Sequence, residues 1–185
     1  LAVARAHDPD MRLVRSDALQ SPFRDGVFDA AFSSYVAEHF EGGPEPLFRE
    51  IRRVLRPGGL FFVVVPHNNI FRRLVVNPAL RAMYVVWKRH GLGLGFTEFR
   101  YTKAEMDGFL ARTGFEVLQV LPDDYHLPWS KGLFVDVCDV GSFFNYEPKP
   151  PYEFGSRGQR MVRLLQRAGL WHTSGGLFSV AGAAS

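Results

Sequence analysis

The side chains that could do chemistry stand just after strand candidates. Asp17 follows the short run Arg12 to Arg15, and Glu38-His39 follows the longer run Val27 to Ser34. His67 comes directly after Leu60 to Val65 and the closing Pro66. In open α/β sheets ligands bind in the crevice beyond the carboxyl ends of the strands, so a carboxylate placed there can accept a ligand's hydrogen bond. An imidazole placed there can take a proton from a reacting group. His39 is therefore the candidate catalytic residue, and His67 is the other imidazole placed to serve. Each has a plainer alternative: Asp17 as a cap of the turn after its strand, His39 as a residue that packs the turn after its own. His7, His90, His126 and His172 show no metal-ligand spacing, and Cys138 is the single cysteine. No metal, internal disulfide or iron–sulfur site is expected on that ground.

The elements that must position these residues alternate in type. Arg12 to Arg15 is a short strand candidate, and Val27 to Ser34 is apolar enough for a strand buried on both faces. Leu47, Phe48, Ile51, Val54 and Leu55 fall at helical spacing within Glu45 to Leu55, and Pro57-Gly58-Gly59 should stop that helix and turn the chain. Leu60 to Val65 is the clearest strand. Asn77-Pro78 reads as an N-cap with proline at the first helical position, for a helix reaching about His90. Thr102-Lys103-Ala104-Glu105 is a capping box for a helix stopping at Gly114. Phe115 to Leu121 and Leu177 to Ala181 are further strands, with a helix over Gln159 to Ala168 between them. Strands alternating with helices imply an α/β domain with a largely parallel sheet.

Three segments carry a resemblance. Asp17-Ala18 followed by Ser21-Pro22-Phe23 resembles D-A-x-x-L-P-F, with serine in place of leucine. Phe28-Asp29 and Val36-Ala37-Glu38-His39-Phe40 resemble F-D-x-V followed by V-x-E-H. Arg53 to Gly59 (RVLRPGG) resembles R-V-L-K-P-G-G. Together with Tyr101-Thr102, Glu105 and Gly114-Phe115-Glu116-Val117, their order is similar to that of the class I S-adenosylmethionine-dependent methyltransferases, in the small-molecule branch called type 11. The resemblance implies a Rossmann-like sheet, mostly parallel with a last antiparallel strand. It implies S-adenosylmethionine as cofactor, with the adenine amino group donating to Asp17 and the backbone N–H of Ala18 reaching a ring nitrogen. Ser33 and Ser34 would line the methionine part. The activity implied is methyl transfer to an oxygen, nitrogen or carbon of a small molecule.

Two features of the family do not occur before Asp17: the glycine-rich loop after its first strand, and the acidic residue ending its second, which binds the ribose hydroxyls. Leu1 to His7 resembles instead the tail of the helix before the family's third strand. In the family's order, 3-2-1-4-5-7-6, the first two strands lie between the third and the fourth. Their absence here would leave Arg12 to Arg15 without a neighbour and Val27 to Ser34 with an open apolar edge, a place for self-association. The expectation is one domain over residues 1–185, the C-terminal two-thirds of the fold and a piece of a longer protein, holding at best half of a cofactor pocket.

Residues 67–100 and 123–155 read as insertions near the acceptor side. The first mixes arginine with aromatics (Phe71, Arg72, Arg73, Tyr84, Trp87), which suits a lipid- or glycan-linked acceptor and peripheral membrane contact; an ordinary amphipathic helix is the alternative. Lys and Arg number 22 against 19 Asp and Glu, a net charge of +3, too small an excess to imply nucleic acid. An RNA-modifying enzyme should show an N-P-P-Y-like tetrad or a separate RNA-binding module, and the sequence shows neither. The apolar run Leu60 to Val65 is too short to span a bilayer, and no secretory leader is evident, so the location expected is cytoplasmic. The rival to an enzyme is a non-catalytic domain that keeps the methyltransferase shape for binding or assembly.

Overall fold

The computed structural model of the chain describes residues 2–70, 72–89, 98–123, 156–169 and 175–184. After a short helix α1 (Ala2–His7) the elements run β1 (Phe28–Ser34), a 3-10 turn (Ala37–His39), α2 (Glu45–Val54), β2 (Leu55–Pro66), a π turn (Arg72–Val76), α3 (Asn77–Arg89), α4 (Lys103–Arg112), β3 (Phe115–Asp123), α5 (Ser156–Arg167) and β4 (Gly176–Ala183). The strands form one sheet in the order β1-β2-β4-β3. β1 and β2 are parallel, and β4 runs antiparallel to both β2 and β3. Three strands thus share one direction and the last strand in sequence is reversed between two of them. This is a Rossmann-like methyltransferase sheet, as the motifs implied.

The core lies on one face. Odd-numbered positions of β2 (Phe61, Val63, Val65) and β4 (Leu177, Ala181, Ala183) point to Phe48 of α2, to Met106 and Leu110 of α4, and to Phe115, as strand and helix periods require. The Phe48 and Phe61 rings meet edge-on at 5.3 Å, and Phe61 lies 5.2 Å from Phe115. Both halves of the Thr102–Glu105 capping box are formed. Arg112 Nε donates to Glu45 Oε1 at 2.7 Å, which ties α4 to α2.

Four local expectations need correction. Arg12 to Arg15 forms no strand: it pairs with neither outer strand of the sheet, β1 or β3, and a lone strand leaves its backbone groups to water. β1 is not buried on both faces. It is an edge strand, with only Ser33 buried and Phe32 67% exposed. Pro57-Gly58-Gly59 does not separate helix from strand, because β2 begins directly at Leu55. Phe28 pairs with Leu55 and Ala30 with Leu60, so Arg56 to Gly59 loop out of the ladder. Gly58 has φ of 74°, and a Cβ on Gly59 would stand 3.0 Å from the Arg56 carbonyl, so glycine is needed at both. Finally, Asn77 caps nothing. The π turn runs straight into α3, and the Asn77 amide instead donates to Asn68 Oδ1 at 3.1 Å. Residues 124–155, most of the second expected insertion, lie outside the described residues.

Candidate functional site

The carboxyl ends of β1 and β2 carry a belt of buried polar groups. β1 ends at Ser34, and the Tyr35 amide still donates to the Val64 carbonyl at 3.0 Å. Tyr35 then takes φ of 53°, the left-handed conformation, and the 3-10 turn follows. That turn and the end of β2 are bridged by residues 98–101. The Phe99 amide donates to the Glu38 carbonyl at 2.8 Å, the Tyr101 amide to Pro66 at 3.0 Å, and the Asn68 amide to Tyr101 at 2.9 Å. His67 pairs with Tyr101 in a parallel bridge and its amide donates to Gly175 at 2.7 Å. Glu38, His67, Asn69 and Tyr101 are all buried. Burial raises the Glu38 carboxyl above the usual carboxylate range, against the opposing pull of a backbone hydrogen bond and of His39. Burial also pushes the Tyr101 phenol up to about 12, helped by the negative charges of Glu38 and Glu105.

Asp17 lies in an exposed loop. Its Oδ1 accepts from the Leu19 amide at 2.9 Å, and its carbonyl accepts from Gln20, an Asx turn that uses one carboxylate oxygen locally. The loop that follows is clamped to α2. Glu50 Oε1 accepts from the Ser21 amide at 2.7 Å and from the Ser21 hydroxyl at 2.6 Å. Arg53 donates to both Glu50 oxygens, to the Phe23 carbonyl at 2.8 Å and to Asp25 at 2.5 Å. The Arg53 hydrogen bond, with those from Ser21, holds the Glu50 carboxyl down at about 2. Arg53 is held above its ordinary range by Glu50 and then Asp25. The arginine that opens RVLRPGG therefore helps tie the Ser21-Pro22-Phe23 segment to α2, joining two of the motifs.

The sequence-predicted residues separate into two groups. Ser33, buried, and Ser34, exposed, close β1 opposite Val63 and Val64. His39 stands just beyond them with its side chain 56% exposed and Nε2 3.9 Å from Glu38 Oε1. His67 is placed at the end of β2, as expected. Asp17 and Ala18, by contrast, are exposed in the loop. They offer one carboxylate, an acceptor, beside a backbone N–H, a donor. Sequence reasoning missed Glu98, which the 98–101 bridge brings to the 3-10 turn, and Glu50, whose only signal was its place three residues before Arg53. An open cavity of about 590 Å³, lined by Lys103, Asp107, Phe115 and Ala184 among others, lies at the amino end of β3, away from the carboxyl ends.

A sheet whose reversed strand lies between β2 and β3, with motifs at the carboxyl ends, defines a class I methyltransferase fold. Residues 1–63 match the methyltransferase domain family Methyltransf_11. The chain is 37% identical over 81 residues to the demethylmenaquinone methyltransferase of Mycolicibacterium vanbaalenii, covering 40% of this chain and 33% of that protein. It is 40% identical over 53 residues to a sterol 24-C-methyltransferase of Gibberella zeae, covering 29% of this chain and 14% of the relative. Among solved structures, the complex between the Haloferax volcanii Trm112 methyltransferase activator and a methyltransferase superposes with a TM-score of 0.56 at 20% identity, over 98% of this chain and 66% of that one. The matches span about a third or less of the curated relatives. The fold is thus that of the class I methyltransferases, and residues 1–63 carry the similarity to the methyltransferase domain family.

Proposed function

We propose that the protein transfers a methyl group from S-adenosylmethionine to an apolar small-molecule acceptor, and that this chain supplies the adenine contacts and the acceptor side. The observation that carries the reading is the pairing of motif and place: Ser33, Ser34 and Glu38-His39 meet at the carboxyl end of β1, while Arg53 fixes the loop that follows Asp17-Ala18. Bound cofactor supplies an electrophilic methyl on a sulfonium. Asp17 would accept from the adenine amino group, and the Ala18 amide would donate to a ring nitrogen. Ser33 and Ser34 would line the methionine portion. His39 would accept the proton that an O–H or N–H acceptor loses as the carbon bond forms. Transfer from a sulfonium needs mainly alignment, so loss of His39 should cost less than loss of acceptor positioning.

An apolar acceptor is supported by exposed Ile70, Leu74 and Val85 around Arg73 in the 67–100 segment. The relatives named for demethylmenaquinone and for a sterol act on apolar molecules as well. Peripheral membrane contact through the same segment belongs to this reading, as does a cytoplasmic location. Among the described residues no helix is long and apolar enough to cross a membrane. Self-association through the β1 edge is part of it too.

The test is calorimetric titration of the folded chain with S-adenosylhomocysteine. Micromolar binding that Asp17→Ala weakens about tenfold, the loss of a charge-assisted hydrogen bond, is the result expected. A folded chain that does not bind, or an Asp17→Ala variant that binds as well as the parent, overturns the proposal that these residues supply the adenine contacts.

A further inference from the structure

Glu38 presents a physical problem that the methyl-transfer reading leaves unsolved. Its side chain is 1% exposed, and its Oε2 has no hydrogen-bond partner. A buried carboxylate oxygen left unsatisfied keeps its full desolvation penalty, so such a group calls for a proton, a water or a cation. Two further ligand atoms stand beside it. One ligand atom each from Glu38, His39 and Glu98 lies within 4.8 Å of the others, close enough for a single ion to bridge all three. The backbone keeps them together, because the Phe99 amide, next to Glu98, donates to the Glu38 carbonyl at 2.8 Å.

The arrangement has a buried base and a reachable rim. Glu38 forms the floor, whereas His39 and Glu98 have side chains 56% and 31% exposed, so an ion can enter from solvent. Arg100 Nη2 lies 2.8 Å from Glu98 Oε1, so an ion would share that carboxylate with the guanidinium. Two carboxylates and one imidazole suit a first-row transition ion or Zn²⁺. Mg²⁺ and Ca²⁺ prefer more ligands and oxygen alone. Sequence spacing could not reveal the set, because Glu98 reaches the Glu38-His39 pair only through the fold.

We propose that Glu38, His39 and Glu98 form a three-ligand site for a divalent transition ion, Zn²⁺ being the probe, with its remaining positions open. The site is tested separately from the methyl-transfer reading, and an ion on His39 would occupy an imidazole nitrogen that the proposed base would otherwise use. The experiment is calorimetric titration of the chelator-treated, folded chain with Zn²⁺, alone and in excess Mg²⁺. One equivalent should bind, Mg²⁺ should not displace it, and His39→Gln and Glu98→Gln should each weaken binding by at least about tenfold. Both side chains reach solvent, so these two variants should keep the fold even if Glu38→Gln does not; circular dichroism checks this. Folded wild-type chain that takes up no stoichiometric Zn²⁺ overturns the site. So does Zn²⁺ binding unchanged in both variants, which would place the ion on other histidines. Displacement by Mg²⁺ overturns the assignment to a transition ion.

Discussion

The Tyr35 hydroxyl donates to Asp123 Oδ2 at 2.7 Å, joining the residue after β1 to the last residue of β3. The bond crosses the carboxyl end of the sheet over the start of β4. Gly176 makes room for it: a Cβ there would stand 2.8 Å from both the Tyr35 hydroxyl and Asp123 Cβ. The left-handed backbone of Tyr35 is thereby held by a bond at the far end of its side chain.

Gly176→Ala should therefore push Tyr35 off Asp123 and destabilise the chain by about 1–3 kcal/mol, the range for overpacking. Tyr35→Phe keeps the ring and loses only the bond, so it should cost about 0.5–1.5 kcal/mol. Urea unfolding of both variants is the measurement. An alanine variant as stable as the parent would mean that the crossing bond yields freely.

Glu50 makes stability depend on pH in a defined direction. Its carboxyl is held at about 2 against an ordinary value of 4.5, so the folded state favours the ionised form. The resulting stabilisation is complete above pH 4.5 and is lost as pH falls toward about 2. Glu50→Gln should cost about 1–3 kcal/mol at pH 7, and its deficit against the parent should close as the two are compared at successively lower pH. A deficit that stays constant from pH 5 to pH 3 would show that the loss comes from packing and not from charge.

Thr102→Ala removes one partner of the capping box. The Thr102 hydroxyl accepts from the Glu105 amide at 3.3 Å, and Glu105 Oε2 accepts from the Thr102 amide at 2.7 Å. The substitution should lower stability by about 1 kcal/mol. Thr102→Ser, which restores the hydroxyl, should recover most of that loss in a thermal unfolding comparison.

What could be read from the sequence was set by local chemistry. The 102–105 box appears because its bonds lie within four residues, and Leu60 to Val65 because an apolar run of β-branched and aromatic residues has few other uses. The reversed final strand followed only from the family resemblance. The open edge of Val27 to Ser34 and the missing neighbour of Arg12 to Arg15 followed from the family's strand order, whereas local composition alone suggested a strand at the second and burial on both faces at the first. What depends on distant partners was not legible. Glu98 meets Glu38-His39 only because residues 98–101 pair with the end of β2. At the candidate site, residue types at strand ends were readable, but Asp17's local turn and Glu38's unsatisfied oxygen required the packing.

The exposed edge supplies a last prediction. Phe32 of β1 is 67% exposed and pairs in register with Phe62, whose ring stacks on Phe178 at 6.2 Å. An apolar residue on an edge strand with free backbone groups is a template for another strand. Burying a phenylalanine side chain is worth about 1.5–3 kcal/mol, so concentration-dependent self-association should be visible by sedimentation equilibrium. Phe32→Glu should reduce the association constant about tenfold or more, since each 1.4 kcal/mol is a factor of ten, and should leave the circular dichroism spectrum unchanged. The charge would be placed on the edge without touching the core, which lies on the opposite face with Phe61 and Phe48. A wild-type chain that stays monomeric at every concentration would show that the β1 edge is protected without a partner strand.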